Sequence, residues 1–149
     1  MQIIYRKIIV ASITGTIHSI LLGLIFSAPF GESDESHFLL DFIAATPTYM
    51  MYVLPVVYTY GIVCSIISDK IGSFLAKKSD DSRIEILVSA SLHIVFGLFL
   101  LIFSLIGAVI FFLVDSLLIK MKQKYNLLGA ISSLLLPISL LCVLISRST

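Results

Sequence analysis

Four long segments without a charged residue constrain this chain more than any other feature. Their lengths are 24, 27, 29 and 22 residues, and they cover residues 8–31, 42–68, 86–114 and 125–146. A helix needs about 20 apolar residues to cross the hydrocarbon core of a bilayer. Membrane-spanning strands are shorter, and their residues alternate between polar and apolar, whereas these segments show no such alternation. The sequence therefore predicts an all-α fold, a polytopic integral membrane four-helix bundle with spans at 8–30, 43–68, 86–114 and 125–146.

The composition supports this class and excludes two others. Hydrophobic residues make up 58% of the 149 residues and charged residues 13%, against about 45–50% and about 25% in soluble domains. A chain this short cannot bury so much apolar surface in a water-soluble core, and disordered chains are far more polar. The linkers are too short to form a soluble domain, so residues 1–149 are predicted to form one membrane domain.

The basic residues predict the orientation, because Lys and Arg near the ends of spans resist translocation. With the N-terminus in the cytoplasm, seven basic residues lie inside and three lie outside. The linker 31–42 is acidic and has no basic residue, which fits an extracellular position. The prediction is a multi-pass cell-membrane protein with both termini and linker 69–85 in the cytoplasm and linkers 31–42 and 115–124 outside.

The three lysines in 115–124 conflict with this orientation, and one alternative removes the conflict. If residues 86–119 enter the membrane and return to the same side, nine basic residues lie inside and one lies outside. A return limb that starts after Gly107 has only about 12 residues, or about 18 Å of helix, and it carries Asp115. The single crossing is therefore the preferred prediction. The two alternatives differ in the side on which the C-terminus lies.

Small residues recur at every fourth position of the first segment, at Ala11, Gly15, Ser19, Gly23 and Ser27. This spacing places them along one stripe of a helix. Small side chains let helix backbones approach closely, and in lipid such packing drives helix association. We expect the stripe to be a helix-packing face. The sequence leaves open whether it packs within the bundle or against a partner.

Two histidines fall inside the predicted spans. His18 lies near the middle of the first span, and His93 lies about 10 Å inside the third. An ionisable group at that depth is costly and usually faces the interior of the bundle. A proton relay or a ligand contact is one interpretation. A neutral imidazole bonded to a neighbouring polar group is the preferred one, because Asp115, near a span end, is the sole acidic residue in reach.

The sequence predicts no catalytic, cofactor-binding or metal-binding residues. Cys64 and Cys142 together with His18 and His93 offer four metal ligands, but their estimated depths range from about 6 Å to about 15 Å. Tetrahedral zinc needs its ligands within about 2.0–2.3 Å of one point. Hydrolase and nucleotide-binding motifs are lacking. The chain is therefore predicted not to be an enzyme.

The layout of the chain resembles a known group of proteins. The opening stretch YRKIIVASITGTIHSILLG, the acidic first linker and the four-span length resemble the small uncharacterised membrane proteins of bacilli. The resemblance implies a four-span membrane fold, and it brings no activity or site residues with it. The small multidrug transporters are similar in size alone, because they use a glutamate in the first span and residues 8–31 contain none.

Two functional hypotheses follow from these features. The first is a non-enzymatic accessory or regulatory subunit that acts by helix association, for which the small-residue stripe is the main support. The second is a small oligomeric transporter or channel that uses His18 and His93 inside the bundle. The predicted partners are the lipid bilayer and a second copy or another membrane protein. Nucleic acid is not predicted, because a net charge of +1 provides no basic field.

Overall fold

The computed structural model describes residues 2–27, 38–79, 81–99, 102–121 and 123–148. These residues are almost entirely helical and contain no strand, which confirms the all-α prediction. The helices are α1 (Gln2–Ile25), α2 (Phe38–Val56), α3 (Ile62–Ser79), α4 (Ser82–Phe99), α5 (Ile102–Lys120) and α6 (Leu127–Ser148). Three stretches of the described chain are long and apolar enough to cross a membrane: Gln2–Ile25, Phe38–Ser79 and Leu127–Arg147.

The second predicted span is part of a longer helical rod. Helices α2 and α3 are joined by a π-helical turn, Val57–Gly61, into a rod of 42 residues. Residues 69–79, predicted as part of a cytoplasmic linker, continue α3, because charged residues end an apolar segment without breaking a helix. Of the predicted linker 31–42, residues 31–37 lie outside the described residues, and residues 38–42 belong to α2.

The third predicted span is replaced by a helical hairpin. The described helices α4 (Ser82–Phe99) and α5 (Ile102–Lys120) lie side by side, so residues 86–114 do not form one straight helix. The two helices pack closely: a methyl group at Gly97 would lie 2.8 Å from Ala108 Cβ and 3.1 Å from Leu105 Cα. This arrangement resembles the entering-and-returning alternative, with limbs of 18 and 19 residues. The short return limb that counted against that alternative was calculated for a turn near Gly107, whereas α5 begins at Ile102.

The helix directions place the two ends of the described chain at opposite ends of the bundle. Ser12 of α1 lies 3.0 Å from Ser133 of α6 between their hydroxyl oxygens, and Gly129 of α6 lies beside Ile9, so α1 and α6 run parallel. Helices α2, α3 and α5 contact α1 in the reverse direction. We call the end that contains Gln2, Ser79, Ser82, Lys120 and Leu127 the basic end, and the other the opposite end. The predicted arrangement, with both termini on one side, differs from this geometry.

Helix α1 forms the centre of the bundle. More than half of the residues in its most apolar 18-residue stretch are buried inside the bundle, compared with less than a fifth of those in the most apolar stretch of α6. It contacts α2, α5 and α6, and Val10 and Ala11 form the apolar core with Val57 and Phe111. The other helices expose large apolar side chains around this centre. The central position of α1 brings its polar residues into contact with several helices at once.

Candidate functional site

Four charged side chains from three helices meet near the basic end. Lys7 Nζ lies 2.6 Å from both Asp69 Oδ2 and Asp115 Oδ2. Arg6 Nε donates to Asp115 Oδ1 at 2.9 Å, and Arg6 Nη2 donates to Asp69 Oδ2 at 3.4 Å. Lys7 also donates to Ser65 Oγ at 2.6 Å. We call Arg6, Lys7, Asp69 and Asp115 the ion cluster. Its two cations and two carboxylates balance.

Two members of the ion cluster, Lys7 and Asp115, are buried, whereas Arg6 and Asp69 are partly exposed. Lys7 is fully buried and Asp115 is 4% exposed, which a charged group tolerates only when it is paired and hydrogen-bonded. Exposed apolar side chains lie beyond the cluster toward the basic end, among them Ile3 of α1 and Phe74 of α3. Phe74 follows Asp69 by five positions, or about 7.5 Å of helix. The apolar surface of the bundle therefore extends past the ion cluster.

Sequence reasoning missed the ion cluster because it used charges to mark the ends of spans. The charge rule assigns Arg6 and Lys7 to the cytoplasmic side and Asp69 to linker 69–85. A single third crossing also placed Asp115 on the other side of the membrane from Lys7. One signal in the sequence favours an arrangement in which Asp115 lies near Lys7: the three lysines after Asp115 that violate the charge rule.

A cavity of about 290 Å³ lies beside the ion cluster, toward the opposite end. Its walls come from α1, α2, the π-helical turn, α3, α4 and α5. His18 and His93, the two polar residues singled out in the sequence, both line it. Most other wall residues are aliphatic or aromatic, and the aromatic ones are Tyr52, Tyr60, Phe96 and Phe111. The structure thus joins two separately predicted histidines into one site.

The cavity wall is exposed in one part and buried in another. Tyr52, which is 69% exposed, and Val56, which is also exposed, line it from α2. Cys64, which is buried and precedes Ser65 in α3, lines it nearest the ion cluster. Because Ser65 binds Lys7, the ion cluster lies between the cavity and the basic end.

His93 is held rigidly at the cavity wall. Its Nδ1 atom lies 2.8 Å from the backbone oxygen of Ser89. Its ring stacks on Phe111, with centroids 6.2 Å apart and planes at 29°, and it tilts against Phe112 at 5.6 Å. These contacts restrict rotation of the imidazole ring.

His18 packs directly against α5 in the cavity wall. The residue is 5% exposed. It lies so close to the α5 backbone that a methyl group at Gly107 would be 2.6 Å from its Nδ1 atom. Gly107 is therefore required for the close approach of α5 to the imidazole.

The π-helical turn positions two tyrosines that tie the cavity wall to its neighbours. It follows Pro55, which cannot donate a backbone hydrogen bond and so disturbs the regular helix. Tyr58 Oη lies 2.7 Å from Ser12 Oγ on α1. Tyr60 Oη donates to the backbone oxygen of Phe96 on α4 at 3.0 Å. Single π-helical turns within α-helices often occur at functional sites.

Ser89 connects the cavity to the ion cluster. Its backbone oxygen lies 2.8 Å from His93 Nδ1, and its hydroxyl donates to Asp69 Oδ1 at 3.4 Å. Asp69 in turn contacts Lys7. A short polar route therefore runs from the histidine at the wall to the charges at the basic end.

The small-residue stripe packs against α2 of the same chain. All of Ala11, Gly15, Ser19, Gly23 and Ser27 are buried. A methyl group at Gly15 would lie 2.7 Å from Leu54 Cδ2, and one at Gly23 would overlap the Thr46 hydroxyl. The structure thus uses the stripe for packing within the bundle.

Comparisons with protein-family models, with curated proteins and with solved structures found no match. Among the described residues, no group of three or more His, Cys, Asp or Glu side chains is placed to hold a metal ion. Cys64 lines the cavity, whereas Cys142 is exposed on α6. The assignment of a function therefore depends on the cavity and the ion cluster.

Proposed function

We propose that the chain is a small membrane transporter that binds a small, largely apolar solute in the cavity. His18 and His93 supply the polar contacts. The observation that carries this proposal is that the two histidines, from α1 and α4, line one cavity. Binding sites for small molecules are concave and mostly apolar, with a few placed polar groups. Ionisable residues within a membrane bundle commonly mark the path of a substrate or ion.

The ion cluster gives the cavity the asymmetry that a transporter needs. The exposed wall residues Tyr52 and Val56 lie farther from the charged residues along the helices than Cys64 does. Lys7 and Asp115 form a short ion pair between the cavity and the basic end. The proposed solute enters past Tyr52 and leaves on the other side only when the ion cluster rearranges.

The accessory-subunit hypothesis loses its main support. It depended on a small-residue stripe that was free to bind a partner. Since α2 covers Gly15 and Gly23, the stripe is occupied within the chain. The cavity is the stronger guide to function.

The proposed topology has three crossings and one hairpin. Helix α1, the α2–α3 rod and α6 cross the cell membrane, and α4 and α5 enter from the cytoplasm and return to it. The basic end then carries nine basic residues, and the opposite end carries Arg147 alone. This distribution satisfies the positive-inside rule and removes the conflict of the three lysines.

A reporter fused after Thr149 is expected to read extracytoplasmic. The reason is that α6 runs parallel to α1, so the two ends of the chain lie on opposite sides. The measurement uses paired alkaline phosphatase and green fluorescent protein fusions at this position. Strong phosphatase activity without fluorescence is the expected result.

A second pair of fusions at Ser79, in the turn between α3 and α4, provides the matched control. It should read cytoplasmic, because Ser79 lies at the basic end. A cytoplasmic reading at both positions would contradict the hairpin topology and favour a single crossing by residues 86–114.

Cys64 should report on access to the cavity in a Cys142→Ser background, where it is the only thiol. A charged, membrane-impermeant methanethiosulfonate reagent should modify it from the extracytoplasmic side and not from the cytoplasmic side. The physical reason is that the exposed wall residues Tyr52 and Val56 lie farther from the basic end than Cys64 does, while the ion cluster lies between the cavity and the basic end. Labelling of oriented vesicles, read by mass spectrometry, measures this.

The matched control is Cys64→Ser, which leaves Cys142 on the exposed surface of α6. Its labelling should not depend on the cavity. Failure of Cys64 to react from either side in folded protein would show a sealed cavity, and the transporter proposal would then be rejected.

A further inference from the structure

We infer that the solute of this cavity is an uncharged aromatic molecule of one or two rings that carries an N–H or O–H group, and that His93 Nε2 accepts its hydrogen bond. The inference rests on the proposed function, because it specifies the class of solute for the same cavity. Four features carry it: the tautomer of His93, the lack of a hydrogen-bond partner for its Nε2 among the described residues, the wall residues and the volume.

The hydrogen bond to Ser89 determines the tautomer of His93. A backbone carbonyl oxygen accepts hydrogen bonds and cannot donate them. His93 Nδ1 lies 2.8 Å from that oxygen, so Nδ1 carries the proton. In a neutral imidazole the other nitrogen is then an acceptor. Nε2 therefore presents a lone pair and requires a donor.

No described residue supplies that donor. His93 is 5% exposed, and Nε2 is buried without a hydrogen-bond partner among the residues that the structure describes. Its ring cannot turn freely, because Phe111 and Phe112 pack against it. A buried acceptor of this kind costs free energy unless it is satisfied. A bound solute with an N–H or O–H group satisfies it.

The wall residues favour an uncharged aromatic body. The described residues that line the cavity include no Asp, Glu, Lys or Arg, so a charged solute would lose its hydration without gaining an ion pair. The rings of Tyr52, Tyr60, Phe96 and Phe111 offer surfaces on which another ring can stack or meet edge to face.

The volume sets the size. An apolar cavity of about 150 Å³ is large enough to bind benzene. At about 290 Å³, this cavity has room for a fused pair of rings.

Indole and benzofuran test the inference, because they have nearly the same shape and differ in the N–H donor. Binding is measured by equilibrium dialysis with the full chain in lipid nanodiscs, and empty nanodiscs correct for partition into lipid. We expect indole to bind about tenfold more tightly than benzofuran, which corresponds to one satisfied hydrogen bond. His93→Phe keeps a ring beside Phe111 but removes the acceptor. This variant should bind indole and benzofuran equally.

His93→Gln provides a second variant, because its side-chain oxygen is an acceptor, and it should restore part of the preference for indole. Thermal unfolding of each variant shows whether it is folded. If wild-type protein binds both probes equally, or if folded His93→Phe keeps the tenfold preference, the inference is overturned while the cavity remains a binding site. If neither probe binds to wild-type protein, both the inference and the proposed solute cavity are rejected.

Discussion

Replacing Asp115 with alanine should lower the free energy of unfolding by about 3–5 kcal/mol, the usual cost of removing one partner of a buried ion pair. Lys7 is fully buried and would lose a carboxylate oxygen 2.6 Å from its ammonium group. Arg6 would lose its 2.9 Å bond as well. Asp69 alone would then face two cations. Titration with sodium dodecyl sulfate in mixed micelles, followed by circular dichroism, measures the change.

The double variant Lys7→Met with Asp115→Leu is the informative control. It removes one cation and one carboxylate together and leaves Arg6 and Asp69 as a balanced pair. Apolar replacements of buried ion pairs are often neutral or stabilising, so most of the loss should disappear. A cost of less than about 1 kcal/mol for Asp115→Ala, in the range of exposed ion pairs, would show that the carboxylate is not in a buried cluster.

Replacing Gly97 with valine should destabilise the protein by about 3 kcal/mol, because overpacking of a tight contact costs about that much. Its first added carbon alone would lie 2.8 Å from Ala108 Cβ and 3.1 Å from the α5 backbone at Leu105. The backbone of α5 cannot move away without opening the hairpin. The same detergent titration measures the loss, and the Thr149 reporter shows whether the topology changes.

Gly61→Ala is the matched control, because it adds a methyl group in the same bundle with room to accept it. There the added carbon would meet the Phe111 ring at 3.5 Å and Val57 at 3.6 Å, which are ordinary contacts. We expect a change of less than about 1 kcal/mol, the size of the Gly-to-Ala propensity difference. If Gly97→Val is equally harmless, the helices α4 and α5 do not pack as a hairpin.

The variants Asp115→Ala and Gly97→Val also test the proposed access to the cavity. Asp115 belongs to the ion cluster beside the cavity, and Gly97 lies in the cavity wall. A variant that folds but rearranges the ion cluster should make Cys64 reactive from the cytoplasmic side. Measurement of Cys64 labelling in the folded fraction of each variant connects the stability data to the access model.

Local properties of the chain determined much of the fold. Long uncharged apolar segments specify helices suited to lipid, and α6 (Leu127–Ser148) begins and ends within two residues of its predicted bounds. The spacing of small residues in α1 identified a packing face, because helical periodicity is set within the segment itself. The burial cost of an imidazole likewise marked His18 and His93 before their common cavity was known.

The tertiary structure decided how the third segment divides and which charges meet. Leu100 and Leu101, between α4 and α5, carry no turn signal, so the hairpin depends on packing at Gly97. Lys7 and Asp115 are 108 positions apart, and their pairing depends on the reversal that this hairpin makes. Sequence by itself specified apolar helices, because apolarity and helical period are local. It did not specify the ion cluster, because partners for buried charges are chosen only when the helices pack in three dimensions.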